Sequence, residues 1–119
     1  MSADPNTPIR AARKPRRTAG ERLRLALDAL CAGQGTIGRH DEKAWASITF
    51  SGARHHLRLI FEGAESVEAG ETFVAILPEH EFAIPGQLVA DATVTNVEHS
   101  LLPEPRMEVE CELLLLIDA

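Results

Sequence analysis

The chain has 119 residues, 45 % of them apolar, 25 % charged and 4 % aromatic, enough for one domain with a packed core and too few for two ordinary ones. With four Phe, one Trp and no Tyr, it lacks the aromatic platforms on which single-stranded nucleic acids stack, and its core must be built from Leu, Ile, Val and Ala. The net charge of −6 hides a split: residues 1–24 hold seven Lys/Arg against two carboxylates (+5), and residues 25–119 hold five against sixteen (−11), so an acidic body repels phosphate backbones and any nucleic-acid contact is confined to the basic leader.

Residues 1–17 contain Pro5, Pro8 and Pro15 and one large aliphatic, Ile9. Such a stretch buries too little apolar surface to offset its ordering entropy. It is predicted to be a disordered basic leader, with a single α+β domain over 18–119. Arg13, Arg16 and Arg17 are its candidate binding residues, as an electrostatic clamp on nucleic acid, anionic lipid or an acidic partner.

Thr18-Ala-Gly-Glu21 has the spacing of a capping box and predicts a helix start. Leu23, Leu27, Leu30 and Cys31 then recur on one helical face, and Gly33 supplies the stop. Gly33 to Gly38 spells G-x-G-x-x-G. A dinucleotide fingerprint needs a strand before it and a helix after it, and here the order is reversed, so a loop is expected.

From Ala44 the period changes to two, with Ala46, Ile48 and Phe50 facing one way and Trp45, Ser47 and Thr49 the other. Ser51-Gly52 reads as a turn, after which His55, Leu57, Leu59 and Phe61 oppose Arg54, His56, Arg58 and Glu62. A β-hairpin pairing these strands is expected. Residues 63–78 predict a short helix ending at Pro78, with Gly70 arguing against one long helix. Pro85-Gly86 marks a turn, and Leu88–Val97 is a third strand. A stiff Leu101–Pro105 connection leads to the cleanest alternation in the chain, Met107, Val109, Cys111, Leu113, Leu115 and Ile117 against Arg106, Glu108, Glu110 and Glu112. The expected fold is a two-layer α+β sandwich of αββαββ-like order, its N-terminal helix packed on a largely antiparallel four-stranded sheet.

No apolar run is longer than the five residues of Leu113–Ile117, so no membrane-spanning helix is expected. Cys31 and Cys111 lie in apolar segments with no secretory h-region ahead of them. They predict buried free thiols in a cytoplasmic protein. The Ala-, Arg- and Glu-rich usage reads as bacterial.

Five histidines are the candidates for acid–base or metal chemistry, and two sit in acidic company, as His40-Asp41-Glu42 and Glu79-His80-Glu81. There is no H-E-x-x-H, no H-x-H and no C-x-x-C, so neither a metal nor another cofactor is expected. The serines lack a G-x-S-x-G elbow, which removes the simplest nucleophilic reading. Trp45, His56 and His80 are the candidate binding residues of the body. Trp45 falls on the polar face of its strand, either packed beneath a loop or helix or exposed as an interface anchor. His56 lies among Arg54 and Arg58, within conceivable reach of Glu108 or Glu110 across the sheet.

Arg13-x-x-Arg16-Arg17 ahead of a strand-rich body resembles the PilZ family of nucleotide-second-messenger binders. The body departs from that pattern, offering Ser47-x-x-Phe50-Ser51-Gly52 in place of the Asp/Asn-x-Ser-x-x-Gly strand motif, so no residue role is carried over. The expected function is a non-enzymatic binding or adaptor module for a protein or small ligand. The alternative is a small metal-dependent or acid–base enzyme that gathers His40, His80 or His99 with carboxylates.

Overall fold

A computed structural model describes residues 16–118; Arg13 and the rest of residues 1–15 lie outside the described residues, as does Ala119. Two helices and a four-stranded antiparallel sheet make a mixed α+β fold.

Helix α1 (Ala19–Leu30) begins where the capping box places it. The Glu21 amide donates to Thr18 Oγ1 at 3.1 Å and the Thr18 amide donates to Glu21 Oε1 at 2.8 Å, an arrangement worth about 1 kcal/mol. Leu23 and Leu27 are wholly buried. Left-handed backbone at Ala32 and Gly33 ends the helix, and the Gly33 amide closes it on the Asp28 carbonyl at 2.9 Å.

Strand β1 (Thr36–Ala46) starts eight residues before the expected one and stops before Ile48 and Phe50. The hairpin turn is Ser47–Phe50, not Ser51-Gly52. Ser47 Oγ accepts from the Phe50 amide at 3.1 Å, and the Ser47 amide donates to the Phe50 carbonyl at 2.7 Å. Gly52 belongs instead to β2 (Ser51–Glu62), where a Cβ would fall on the Leu115 carbonyl oxygen. Its absence of side chain serves close approach of two strands.

Helix α2 (Ala64–Ile76) runs straight through Gly70, and Pro78 falls in a following 3₁₀ turn, Leu77–Glu79. Gly70 is needed for packing: a Cβ there would stand 2.9 Å from both the Phe61 ring and Met107 Sδ. The local penalty of glycine, about 1 kcal/mol, is outweighed by letting the helix sit on Phe61.

Strands β3 (Gln87–Ser100) and β4 (Arg106–Ile117) complete a sheet of order β1-β2-β4-β3. The odd-numbered residues of β2 and β4, from Leu57, Leu59 and Phe61 to Leu113 and Leu115, form one buried cluster with Leu23, Leu27 and Cys31 of α1 and Val67 and Phe73 of α2. Each fully buried aliphatic or aromatic side chain contributes about 1.5–3 kcal/mol. This is the inner face of the sheet; the even-numbered residues of β2 and β4 form the outer face. Both thiols are free and buried, and burial pushes Cys111 up to about 12. Among the described residues, no helix is long and apolar enough to cross a membrane.

Candidate functional site

Two constellations stand out, one on each face of the sheet. On the inner face, Glu42 of β1 lies directly opposite His55 of β2, and His40 is two residues back along β1. The β1–β2 register slips between Ile37 and Arg39, leaving Gly38 as an extra residue. That bulge brings Ile37, His40 and Glu42 to the same face despite their uneven spacing. His40 Nε2 lies 2.8 Å from His55 Nδ1, a hydrogen bond in which one ring donates and the other accepts. Glu42 Oε1 stands 3.9 Å from His55 Nδ1, and the three donor atoms all lie within 4.8 Å of one another.

His55 shares the strand parity of Leu57 and Leu59 and has no exposed surface. Its Nε2 has no hydrogen-bond partner, an omission that costs about 1–3 kcal/mol in a buried group. Burial holds the His55 pKa below the ordinary histidine range, against the opposing pull of Glu42. Burial lowers that of His40 too, assisted by His55 and Arg24 and opposed by Glu42 and Asp41. The first turn of α1 roofs the pair: a Cβ on Gly20 would stand 3.2 Å from His40 Cε1 and 3.4 Å from Glu42 Oε1.

The outer face is polar along most of its length. Its ion pairs join three residues of β2 to the β4 residue two positions from the one directly opposite: Arg54 to Glu112 at 3.8 Å, His56 to Glu110 at 3.0 Å and Arg58 to Glu108 at 3.6 Å. Arg106 closes the ladder, 2.6 Å from Glu108 and 3.5 Å from Glu62. That contact holds the Glu108 carboxyl below its usual range. Solvent screens these exposed pairs, and each contributes little to stability. Basic groups outnumber acidic ones on β1 and β2 (Arg39, Lys43, Arg54 and Arg58 against Asp41 and Glu62), and acidic ones outnumber basic on β4 and β3 (Glu108, Glu110, Glu112, Asp91 and Glu98 against Arg106).

At the Ser47–Phe50 end the outer face turns apolar. Trp45, Gly52, Leu116 and Leu88 form one continuous row across all four strands. Leu116 is buried within it, Leu88 and Phe50 are about half exposed, and the Ile48 side chain is entirely in solvent. Trp45 is therefore half-buried on the face turned away from the core cluster, and does not pack beneath a helix.

Of the sequence-predicted site residues, the structure brings Trp45 and His56 to one face. His80 is exposed beside Glu79 and Glu81, edge-on to Phe82 with ring centroids 4.6 Å apart. Arg16 and Arg17 are exposed before α1, and Arg17 lines a shallow hollow with Arg22 and Pro85. The sequence reading missed His55 as a partner of His40 and missed the apolar end formed by Leu88, Ile48 and Phe50. Strand parity carried a signal for the first; the second needed the position of the turn.

No family model matches this sequence, and no curated protein does. Among solved structures, one chain described as "Virion of native gene transfer agent (GTA) particle" is similar in fold, with a TM-score of 0.53 and 13 % identity over 82 % of this chain and 91 % of that one.

Proposed function

We propose that this chain is a non-enzymatic assembly module whose docking surface is the outer sheet face, and that its occupant is a second copy of the same chain. The observation that carries the reading is the apolar row of Trp45, Leu116 and Leu88 running into the exposed Ile48–Phe50 tip. Trp is among the residues that most often anchor interfaces. A two-layer sandwich, with the N-terminal helix packed on the inner face, leaves this face free.

The charges specify the partner. A two-fold axis parallel to the strands, lying between two stacked outer faces, sets the basic β1–β2 half of one copy on the acidic β4–β3 half of the other. The same axis superposes the two apolar ends. Four strands spaced about 4.8 Å apart and about 12 residues long give a face of roughly 750 Å², close to the roughly 800 Å² per partner of a stable interface. Affinity comes from the apolar end, and the ladder fixes orientation. The fold likeness to a virion chain supports an assembly role. Cytoplasmic action accords with two free thiols, and Arg16 and Arg17 add electrostatic reach toward acidic partners.

Sedimentation of the full chain tests the reading. A dimer that Trp45→Glu converts to a folded monomer supports it; a monomer at every concentration, or a dimer indifferent to Trp45→Glu and Leu88→Glu, overturns it. The enzymatic alternative has one observation in its favour, the His40–Glu42–His55 cluster.

A further inference from the structure

The geometry points to a divalent transition-metal site of the zinc class, and we propose that His40 Nε2, His55 Nδ1 and a Glu42 carboxylate oxygen are its protein ligands. Two imidazoles and one carboxylate are a donor set that such ions take, with a fourth position left for water. The three residues come from two adjacent strands in fixed register, and their donor atoms already lie within 4.8 Å of one another.

The fit requires two small adjustments. Bonds of about 2.0–2.1 Å in tetrahedral geometry set ligand nitrogens about 3.3 Å apart, against 2.8 Å between the two rings. An opening of about half an ångström falls to His40, which is half-buried on an edge strand, while His55 is fixed in the core. Glu42 Oε1, now 3.9 Å from His55 Nδ1, moves inward by a similar amount. Its side chain is exposed and free to turn.

The charges around the site are mixed. Arg24 and the N-terminal end of the α1 dipole oppose a positive charge. Glu42 and Asp41 stand on the other side of the balance, and the Thr18–Glu21 box ties up part of that helix end. Ligation through Nδ1 puts the His55 proton on Nε2, which has no hydrogen-bond partner, so the metal bond must offset the cost of that buried donor.

The test is titration of the chelator-stripped full chain with Zn²⁺ by calorimetry, and with Co²⁺ by visible spectroscopy. The expected result is one equivalent bound, tetrahedral Co²⁺ bands, and loss of about tenfold to 100-fold in affinity or more in His40→Gln and in Glu42→Gln. Both variants lie on the exposed side of the cluster, so they remain informative if His55→Ala fails to fold. His80→Gln, in the other acidic cluster, leaves the affinity unchanged. Absence of saturable binding overturns the proposal, as does binding that survives His40→Gln and Glu42→Gln or disappears in His80→Gln.

Discussion

His55 and His56 are neighbours on one strand, and the sheet treats them as different residues. His55 points into the core, has no exposed surface and keeps one nitrogen unpaired. His56 points outward, about 40 % exposed, 3.0 Å from Glu110. A single step along β2 thus exchanges a low-dielectric site, where each unmet hydrogen bond is expensive, for a wet one where an ion pair contributes little. The inner face is where substitution should hurt stability, and the outer face is where it should change association.

The largest effect that would sharpen this contrast is at the bottom of the core. Phe61→Ala, which also empties the space against Gly70, is expected to lower stability by about 3–5 kcal/mol. Its neighbour Glu62→Ala should stay within about 0.5 kcal/mol. Urea unfolding of both variants measures the difference, and comparable losses would break the distinction between faces.

Next in size is acidification. The folded pKa values of His40 and His55 lie below the unfolded value of about 6.5, first because of burial. The unfolded chain therefore binds protons that the folded chain refuses. The stability they support is complete above about pH 6.5 and is lost as pH falls through the folded values. Urea midpoints of metal-free protein should drop between about pH 7.5 and about pH 5, and the drop should shrink in His55→Leu. A midpoint that rises on acidification would contradict the burial argument.

At the upper pH, His55→Leu is expected to be neutral or up to about 2 kcal/mol more stable, since it removes the unpaired Nε2 and keeps an apolar volume in place. A loss above about 2 kcal/mol would mean that the His40–His55 bond contributes more than a single hydrogen bond usually does. The smallest change belongs to the outer face: His56→Ala should cost less than about 1 kcal/mol, and the cost should fade with added salt. A salt-insensitive loss would show that the ladder is less exposed to solvent than its geometry says.

The elements that were legible in the sequence are those whose signals are local. Thr18 and Glu21 announce α1, and the alternation from Arg106 to Glu112 announces β4. Strand β1 was harder because Thr36–Lys43 is an edge strand with mostly polar residues, and Gly38 interrupts its period. The turn at Ser47–Phe50 has no Gly or Pro and is closed by the Ser47 hydroxyl, so the Ser51-Gly52 pair drew the turn four residues downstream. That displacement put His55 at a strand end and hid its pairing with Glu42. The apolar positions of β3, Val89, Ala92, Val94 and Val97, also fail to alternate. Their common face exists only because two extra residues are absorbed along the strand.

Those extra residues have a consequence for how the protein avoids uncontrolled growth. The central pair, β2 and β4, matches residue for residue over its whole length, whereas every register slip falls on an outermost strand: one in β1 and two in β3. An incoming strand would meet a border whose free amides and carbonyls change phase before a long ribbon could form, which discourages fibre-like stacking in the crowded cell. The sheet thus keeps its regular pairing for the β2–β4 centre and leaves its irregular backbone on the two open borders, β1 and β3.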